Sequence, residues 1–281
     1  MKKVLFKNLL LIIFLIFSSL LPAENSEKWY SKEELVEFLK TEKHVELYLW
    51  YTNQILEFSE EIKNVIPDLP LDAEETLLES VRENENNYLA LIILGVYYNQ
   101  VEEDYEKALL YMKKAIEVSP LNKRVINPYE MMAIIYYNLQ DYGKVEEVYM
   151  ELIRKFPEYP GGYYGMSVLR YNMKNYNEAV HYAKKSVTFY KSEKYADFFS
   201  PSYRKTRIIE SERLLSYAYL KNGNYNEAFE QFFSIYDEMQ ESYSEKDISE
   251  IMEVFRRENE KLKNTDKKLY EKNIKKFKEL E

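Results

Sequence analysis

Cysteine is absent from the 281-residue chain, and glycine and proline are scarce, at 6 and 8 residues. Without cysteine the protein cannot form disulfides, thiolate metal sites or a cysteine nucleophile, and it lacks the residue that carries a bacterial lipoprotein anchor. So few turn-forming residues argue against a sandwich or barrel, which needs many tight turns. Hydrophobic residues at 46% and charged residues at 31% still indicate a globular chain. Long helices with short connections fit this composition best.

Groups that usually carry catalysis are also scarce. His44 and His181 are the two histidines, and neither has a second histidine at the spacing of a zinc-binding helix. The sequence contains neither a Gly-x-Ser-x-Gly elbow nor a phosphate-binding loop. We therefore expect no enzyme activity, and no catalytic, metal-binding or cofactor-binding residues.

The N-terminus has the arrangement of a secretory signal peptide. Lys2, Lys3 and Lys7 flank an apolar run over Leu9–Phe17, and Ala23 stands at a plausible cleavage position. The run is shorter than the roughly 20 residues of a membrane-spanning helix. We expect cleavage after residue 23 and a mature chain without a membrane span, exported to the periplasm or cell envelope. An N-terminal anchor that is not cleaved is the alternative.

The chain is acidic, and the expected cleavage makes it more so. Removing residues 1–23 takes away three lysines and no acid, which changes the formal charge from −9 to −12. Nucleic-acid binding depends on basic surfaces that attract phosphates. We therefore expect no nucleic-acid partner.

Four segments of similar sequence mark an internal repeat. They are Tyr105-Glu106-Lys107-Ala108, Tyr142-Gly143-Lys144-Val145, Tyr176-Asn177-Glu178-Ala179 and Tyr225-Asn226-Glu227-Ala228. Their tyrosines are 37, 34 and 49 residues apart. Each segment follows a stretch with a small residue at one equivalent place: Gly95, Ala133, Ser167 and Ser216. A small residue there is needed if two helices cross closely.

These features resemble the tetratricopeptide repeat family, whose pattern has an aromatic, then Leu-Gly, then Tyr on a first helix and Ala, an aromatic and Pro on a second. The resemblance covers about Tyr88 to Gln240. It implies an all-α fold, a right-handed α-solenoid of tetratricopeptide-like helix pairs with flanking helices. It also implies a concave groove lined by the first helices and a role in binding proteins.

The expected organisation has four parts. Residues 1–23 form the signal peptide, and 24–87 form N-terminal helices in which a degenerate repeat is one interpretation. Residues 88–240 hold four repeats, and 241–281 form C-terminal capping helices, because a terminal repeat otherwise exposes its apolar face. Ser244-x-x-Asp247 is a capping box that opens the first of these helices, and a basic helix with Leu269 and Phe277 follows.

An insert near 191–205 interrupts the repeats. It is rich in aromatic residues, and insertions in repeat arrays map to loops on one face, often the binding face. Partner contact by this insert and a harmless bulge are both open interpretations.

The candidate groove residues end or line the first helices of the repeats. They are Asn99, Tyr137, Asn138, Tyr164, Tyr171, Asn172, Tyr217 and Lys221. Tyrosine offers a large contact area and a hydroxyl, and asparagine offers both donors and an acceptor to a peptide backbone. Ordinary packing explains tyrosines equally well, and asparagine also suits helix ends.

The groove predicts a protein or peptide partner from the cell envelope and a scaffold or adaptor function. The alternative is an envelope module that binds a cell-wall glycan or another non-protein ligand, with the tyrosines as stacking platforms. The family's carboxylate-clamp subtype uses a basic residue and an Asn on one first helix. Glu130 and Ile134 stand at those places in the second repeat, so we do not expect recognition of a free peptide C-terminus.

Overall fold

The computed structural model describes residues 78, 81–86, 88–100, 102–118, 126–193 and 201–280. Across these ranges the regular elements are α-helices and no strand occurs. The helices are α1 (Tyr88–Gln100), α2 (Tyr105–Val118), α3 (Ile126–Asn138), α4 (Tyr142–Lys155), α5 (Pro160–Asn172), α6 (Tyr176–Lys191), α7 (Pro201–Lys221), α8 (Tyr225–Ser234), α9 (Tyr236–Ser242), α10 (Glu245–Leu262) and α11 (Lys267–Glu279). The predicted all-α fold class is confirmed. The predicted signal peptide, most of the predicted N-terminal helices and His44 lie outside the described residues.

The tyrosines of the four repeated segments each open the second helix of a pair: Tyr105 begins α2, Tyr142 begins α4, Tyr176 begins α6 and Tyr225 begins α8. In three of the four pairs the residue just before the tyrosine caps the helix. The side chains of Asp104, Asp141 and Asn175 accept hydrogen bonds from the main-chain N–H three residues later, at 3.1, 3.1 and 3.4 Å. Such bonds satisfy a donor that the first turn of a helix leaves without a partner. The predicted tetratricopeptide-like helix pairs are thus confirmed.

The turns inside the four pairs share one left-handed residue, two positions before the tyrosine. Glu103, Gln140, Lys174 and Gly223 have φ angles of 55°, 59°, 62° and 83°. This conformation costs a residue with a Cβ about 1–2 kcal/mol, and only the fourth turn uses glycine. The four turns are therefore equivalent in backbone although their sequences differ.

The predicted small positions lie where the two helices of a pair cross. A Cβ atom added to Gly95 would lie 2.5 Å from Met112 Cε and 3.3 Å from the carbonyl oxygen of Ala108, both on α2. Ser167 is fully buried on α5, and its hydroxyl donates to the carbonyl of Ala179 on α6 at 2.8 Å. Helix packing this close excludes larger side chains.

The chain divides into two compact units, residues 1–152 with 197–200, and residues 153–196 with 201–281. The boundary falls inside α4, within the segment that the sequence treats as one run of repeats. In the first unit, Leu91, Leu94, Met112 and Met131 are among the fully buried residues. In the second unit, helices α5 to α8 pack in chain order, each against the next.

The predicted C-terminal helices cap the second unit. Ser244 Oγ accepts from the main-chain N–H of Asp247 at 3.2 Å and opens α10. Phe255 of α10 stacks on Phe232 of α8 with ring centroids 4.1 Å apart, and Phe277 of α11 lies against Phe229 at 6.2 Å. The last helices therefore cover the apolar face of α8, which would otherwise meet solvent.

The last part of the predicted 191–205 insert is helical. Helix α6 runs to Lys191 and α7 already begins at Pro201, so residues 201–205 are helical rather than part of a loop. Tyr190 is fully buried in the last turn of α6 and belongs to the core. Residues 194–200 lie outside the described residues.

Arg204 ties this junction together. Its Nε donates to the carbonyl of Tyr190 at 2.8 Å, and its Nη2 donates to the carbonyls of Lys191 and Ser192 at 3.0 and 3.1 Å. These carbonyls belong to the C-terminal end of α6, where a positive charge is favourable. The side chain therefore caps α6 from the first turn of α7.

Candidate functional site

The predicted groove tyrosines of the second unit are brought together with charged side chains of α7. Arg207, Glu210, Arg213 and Tyr217 are spaced three or four residues apart, so they lie along one stripe of that helix. We call this surface the tyrosine–arginine face; it comprises Tyr164 and Tyr171 of α5, Arg207, Glu210, Arg213 and Tyr217 of α7, and Tyr243 just after α9.

At one end of the face, an ion pair lies against an aromatic ring. Arg207 Nη1 lies 2.7 Å from Glu210 Oε2, and the two side chains are 13% and 14% exposed. The guanidinium carbon of Arg207 lies 4.4 Å from the ring centroid of Tyr164, a cation–π distance. Its Nε also donates to the hydroxyl of Tyr190 at 3.3 Å. This arginine is therefore held by a carboxylate and by two tyrosines.

Arg213 occupies the middle of the face and is surrounded by tyrosines. Its guanidinium carbon lies 6.0 Å from the ring centroid of Tyr217 and 5.5 Å from that of Tyr243. Its Nε is buried and has no hydrogen-bond partner within the described part of the chain. The described residues form no carboxylate ion pair with this side chain. Its positive charge is therefore screened only by rings and hydroxyls.

The tyrosine hydroxyls of the face are uncharged at physiological pH. Burial raises the pKa of Tyr164, Tyr171, Tyr217 and Tyr243 above the usual value near 10. For Tyr171, proximity to Tyr176, Tyr217 and Glu258 raises the pKa further. The charge of the face is therefore set by two guanidinium groups and one carboxylate, a net charge of one positive.

A depression of about 620 Å³ adjoins this face on the side of α9 and α10. Tyr243 lines it together with Tyr236, Ile248, Met252 and Arg256 among others. Its lining mixes apolar side chains with polar and charged ones, including the carboxylates of Glu245 and Glu253. The ring of Tyr243 belongs both to the depression and to the surroundings of Arg213.

In the first unit, the candidate residues Asn99 and Asn138 contact each other. Asn138 Nδ2 donates to Asn99 Oδ1 at 3.4 Å, which joins the ends of α1 and α3. Asn99 is only 4% exposed, whereas Asn138 is exposed. Tyr137 is 37% exposed and lies edge-on to Tyr142 at 5.4 Å. Two of the three candidate asparagines therefore satisfy each other's hydrogen bonding in part.

The remaining candidates lie at the ends of first helices in the second unit. Asn172 is the last residue of α5 and Lys221 is the last residue of α7, and both are exposed. Tyr171, next to Asn172, lies edge-on to Tyr176 with ring centroids 5.5 Å apart. These side chains are placed at the edge of the tyrosine–arginine face nearest the inner turns.

Sequence reasoning missed Arg213 and Tyr243. Arg213 lies four residues before Tyr217, one helical turn away on the same stripe, so its position was available from the candidate tyrosine. Tyr243 lies beyond the end of the predicted repeats at Gln240. Its approach to α7 depends on the break between α9 and α10, which the repeat pattern does not contain.

The described residues contain neither a metal-binding cluster nor a membrane-spanning helix. No group of three or more His, Cys, Asp or Glu side chains comes together among them as a metal site. None of their helices has both the length and the apolar character required to cross a bilayer. His181 is exposed on α6 beside the ring of Tyr182.

Comparison with known proteins gives likenesses of fold. No family model matches the sequence, and no curated protein matches it. YrrB, described as a TPR protein with an unusual peptide-binding site, is 15% identical, with a TM-score of 0.48 over 71% of this chain and 89% of that one. PilW, described as a widely conserved type IV pilus biogenesis factor, is 14% identical, with a TM-score of 0.49 over 76% and 86%.

A third structure, the APC/C hetero-tetramer Cut9–Hcn1, is 13% identical, with a TM-score of 0.33 over 85% of this chain and 57% of that chain. The fold of this chain rests on its own helix pairs, with their capped second helices, left-handed inner turns and small residues at the crossings. By these features the fold is a series of tetratricopeptide-like helix pairs.

Proposed function

We propose that this protein is an exported, non-catalytic scaffold of the periplasm or cell envelope that binds a segment of another protein. The binding surface is the first-helix side of the second unit, centred on the tyrosine–arginine face. The observation that carries the proposal is the composition and burial of that face, where four half-buried tyrosines and two arginines adjoin a depression of mixed polar and apolar lining.

Tyrosine and arginine are the residue types that contribute most often to the binding energy of protein interfaces. A half-buried tyrosine adds apolar area while its hydroxyl stays available for hydrogen bonds, and few rotatable bonds must be fixed on binding. Because the four hydroxyls are uncharged at physiological pH, they suit the backbone and side-chain polar groups of a peptide. A protein segment is therefore the ligand that matches this surface.

A cell-wall glycan is the alternative ligand, and the ring environments argue against it. A sugar stacks on a free aromatic face, but Tyr164 is covered by Arg207 at 4.4 Å. Tyr217 packs against Phe255 with ring centroids 5.6 Å apart, and Tyr171 contacts Tyr176. These rings are engaged within the protein, which favours recognition through edges and hydroxyls.

The proposal is tested by crosslinking the full chain in its native cells and recovering the adducts. We expect a protein partner that stays bound after muramidase digestion. Replacing two exposed residues at the edge of the face, Asn172→Ala with Lys221→Ala, lowers its recovery. A matched change on the second helix α6, His181→Ala with Thr188→Ala, leaves recovery unchanged. Retention of the pure chain on purified wall polymer, with no protein recovered, would establish the glycan function instead.

A further inference from the structure

The charges of the tyrosine–arginine face do not balance. Arg207 and Arg213 are both positive at any physiological pH, because a guanidinium group does not lose its proton in that range. The one carboxylate between them, Glu210, is paired with Arg207 at 2.7 Å. Glu258 also acts on the face, through Tyr171, and it is paired with Lys261 at 2.6 Å. Arg213 is therefore the group that lacks a counter-charge.

The surroundings of Arg213 make that imbalance costly. The side chain is half-buried between tyrosine rings, with a buried Nε that has no acceptor in the described residues. A charge withdrawn from water is destabilised unless it is paired and hydrogen-bonded. The hydroxyls of Tyr217 and Tyr243 accept hydrogen bonds from the guanidinium group, but they leave its Nε without an acceptor and they carry no negative charge. A carboxylate placed here would satisfy both the charge and the donors, since arginine binds carboxylates through paired hydrogen bonds.

We propose that Arg213 binds the carboxylate of an aspartate or glutamate side chain within the partner segment. Tyr217 and Tyr243 flank this carboxylate, and their hydroxyls complete its hydrogen bonding. The inference rests on the proposed function, because it names the chemistry of the ligand at the same surface. It assigns specificity to Arg213, a residue that the repeat pattern itself does not require.

The net charge of the site favours a side-chain carboxylate over a phosphate. One net positive charge matches one carboxylate, whereas a phosphate monoester carries about two negative charges at neutral pH. The depression of about 620 Å³ on the other side of Tyr243 leaves room for the residues next to the acid. A continuing segment, with the acid in its interior, therefore fits better than an isolated anion.

The test is a selection of random peptides, displayed without a free C-terminus, on the immobilised full chain. We expect the selected peptides to share Asp or Glu at one position. Replacing that acid with its amide should weaken binding about tenfold, equivalent to about 1.4 kcal/mol. On the Arg213→Gln variant the acid peptide and its amide should bind equally. Arg257→Gln, which removes an exposed arginine of α10, should behave like the unmodified chain.

The contrary outcomes separate the two proposals. Selected peptides that bind as well with an amide as with the acid would overturn the role of Arg213 and leave peptide binding intact. An equal loss on amidation in the unmodified chain and in Arg213→Gln would also overturn it. Binding that disappears when a synthetic peptide's C-terminus is amidated would show that the carboxylate comes from a chain end. Failure to select any peptide would contradict the proposed function itself. Thermal melts of Arg213→Gln and Arg213→Lys confirm that each variant is folded.

Discussion

At the scale of single residues, the fold depends on a few places where only small or glycine residues fit. Gly95 is the tightest of them, since an added Cβ would meet Met112 and the main chain of Ala108. Gly143 offers a matched comparison in the same unit, because it is exposed on α4 and its Cβ would meet only Asp141 Oδ1 at 3.6 Å. Comparing the same substitution at the two glycines therefore distinguishes the effect of crowding from the general effect of replacing a glycine.

We expect Gly95→Leu and Ala108→Leu each to lower the free energy of unfolding by about 1–3 kcal/mol, through overpacking of the α1–α2 crossing. Urea denaturation measures this change. Gly143→Leu should leave the free energy of unfolding nearly unchanged or raise it, because leucine has a higher helix propensity than glycine. Equal effects at all three positions would contradict the register assigned to the first pair.

Gly223 is required for its backbone rather than for space. Its φ is 83°, and no atom lies within 4 Å of an added Cβ. Gly223→Ala should therefore destabilise the protein by about 1–2 kcal/mol through left-handed strain alone. Gly143→Ala should instead stabilise it by about 0.4–1 kcal/mol, because the backbone there accepts alanine and the unfolded chain loses conformational freedom. Chemical denaturation of the pair checks the difference in sign; two changes of the same sign would refute the turn assignment.

At the scale of elements, the junction of α6 and α7 is held by Arg204. Loss of the Arg204 side chain removes charge-assisted hydrogen bonds to the end of α6. We therefore expect Arg204→Ala to lower the free energy of unfolding by about 1–2 kcal/mol. The neighbouring Lys205→Ala breaks only an exposed pair with Glu241, and surface pairs contribute little. Thermal unfolding of both variants tests the difference. A similar melting temperature for the two would mean that Arg204 does not cap α6.

The sequence predicts these elements unevenly, for physical reasons. Helix pairs, their starts at the repeated tyrosines and the Ser244 cap are local features, since each depends on residues within a few positions. The start of α7 at Pro201 was missed because Arg204 stabilises it through contacts with a different helix. The burial of Tyr190 was not predicted either, because its position beside an aromatic-rich insert does not reveal that it packs in the core.

Only some residues of the tyrosine–arginine face could be predicted from the sequence. Tyr164, Tyr171 and Tyr217 follow from their places on first helices. Arg213 resembles any charged residue on a helix surface, and its importance comes from neighbours on three elements that leave it without a carboxylate. The contact between Asn99 and Asn138 also depends on how α1 and α3 approach each other, which no local pattern states.

At the scale of the whole molecule, the proposal that the protein is exported depends on the first 23 residues. We expect the mature protein to begin near Glu24, because the positive flank, the short apolar run and Ala23 have the order of a cleaved signal. The intact mass of the protein recovered from the cell envelope measures the cleavage site. A mature form that retains Met1 would indicate an N-terminal anchor.

The central claim is that a protein partner lies on the first-helix side of the second unit. Photoreactive residues at three exposed positions test it most directly: Asn172 and Lys221 at the edge of the tyrosine–arginine face, and His181 on the second helix α6. Irradiation of intact cells should crosslink one and the same protein to positions 172 and 221 and leave position 181 without adduct, before and after muramidase digestion. Adducts at 181 but not at 172 or 221, or adducts that digestion of the wall removes, would contradict the account.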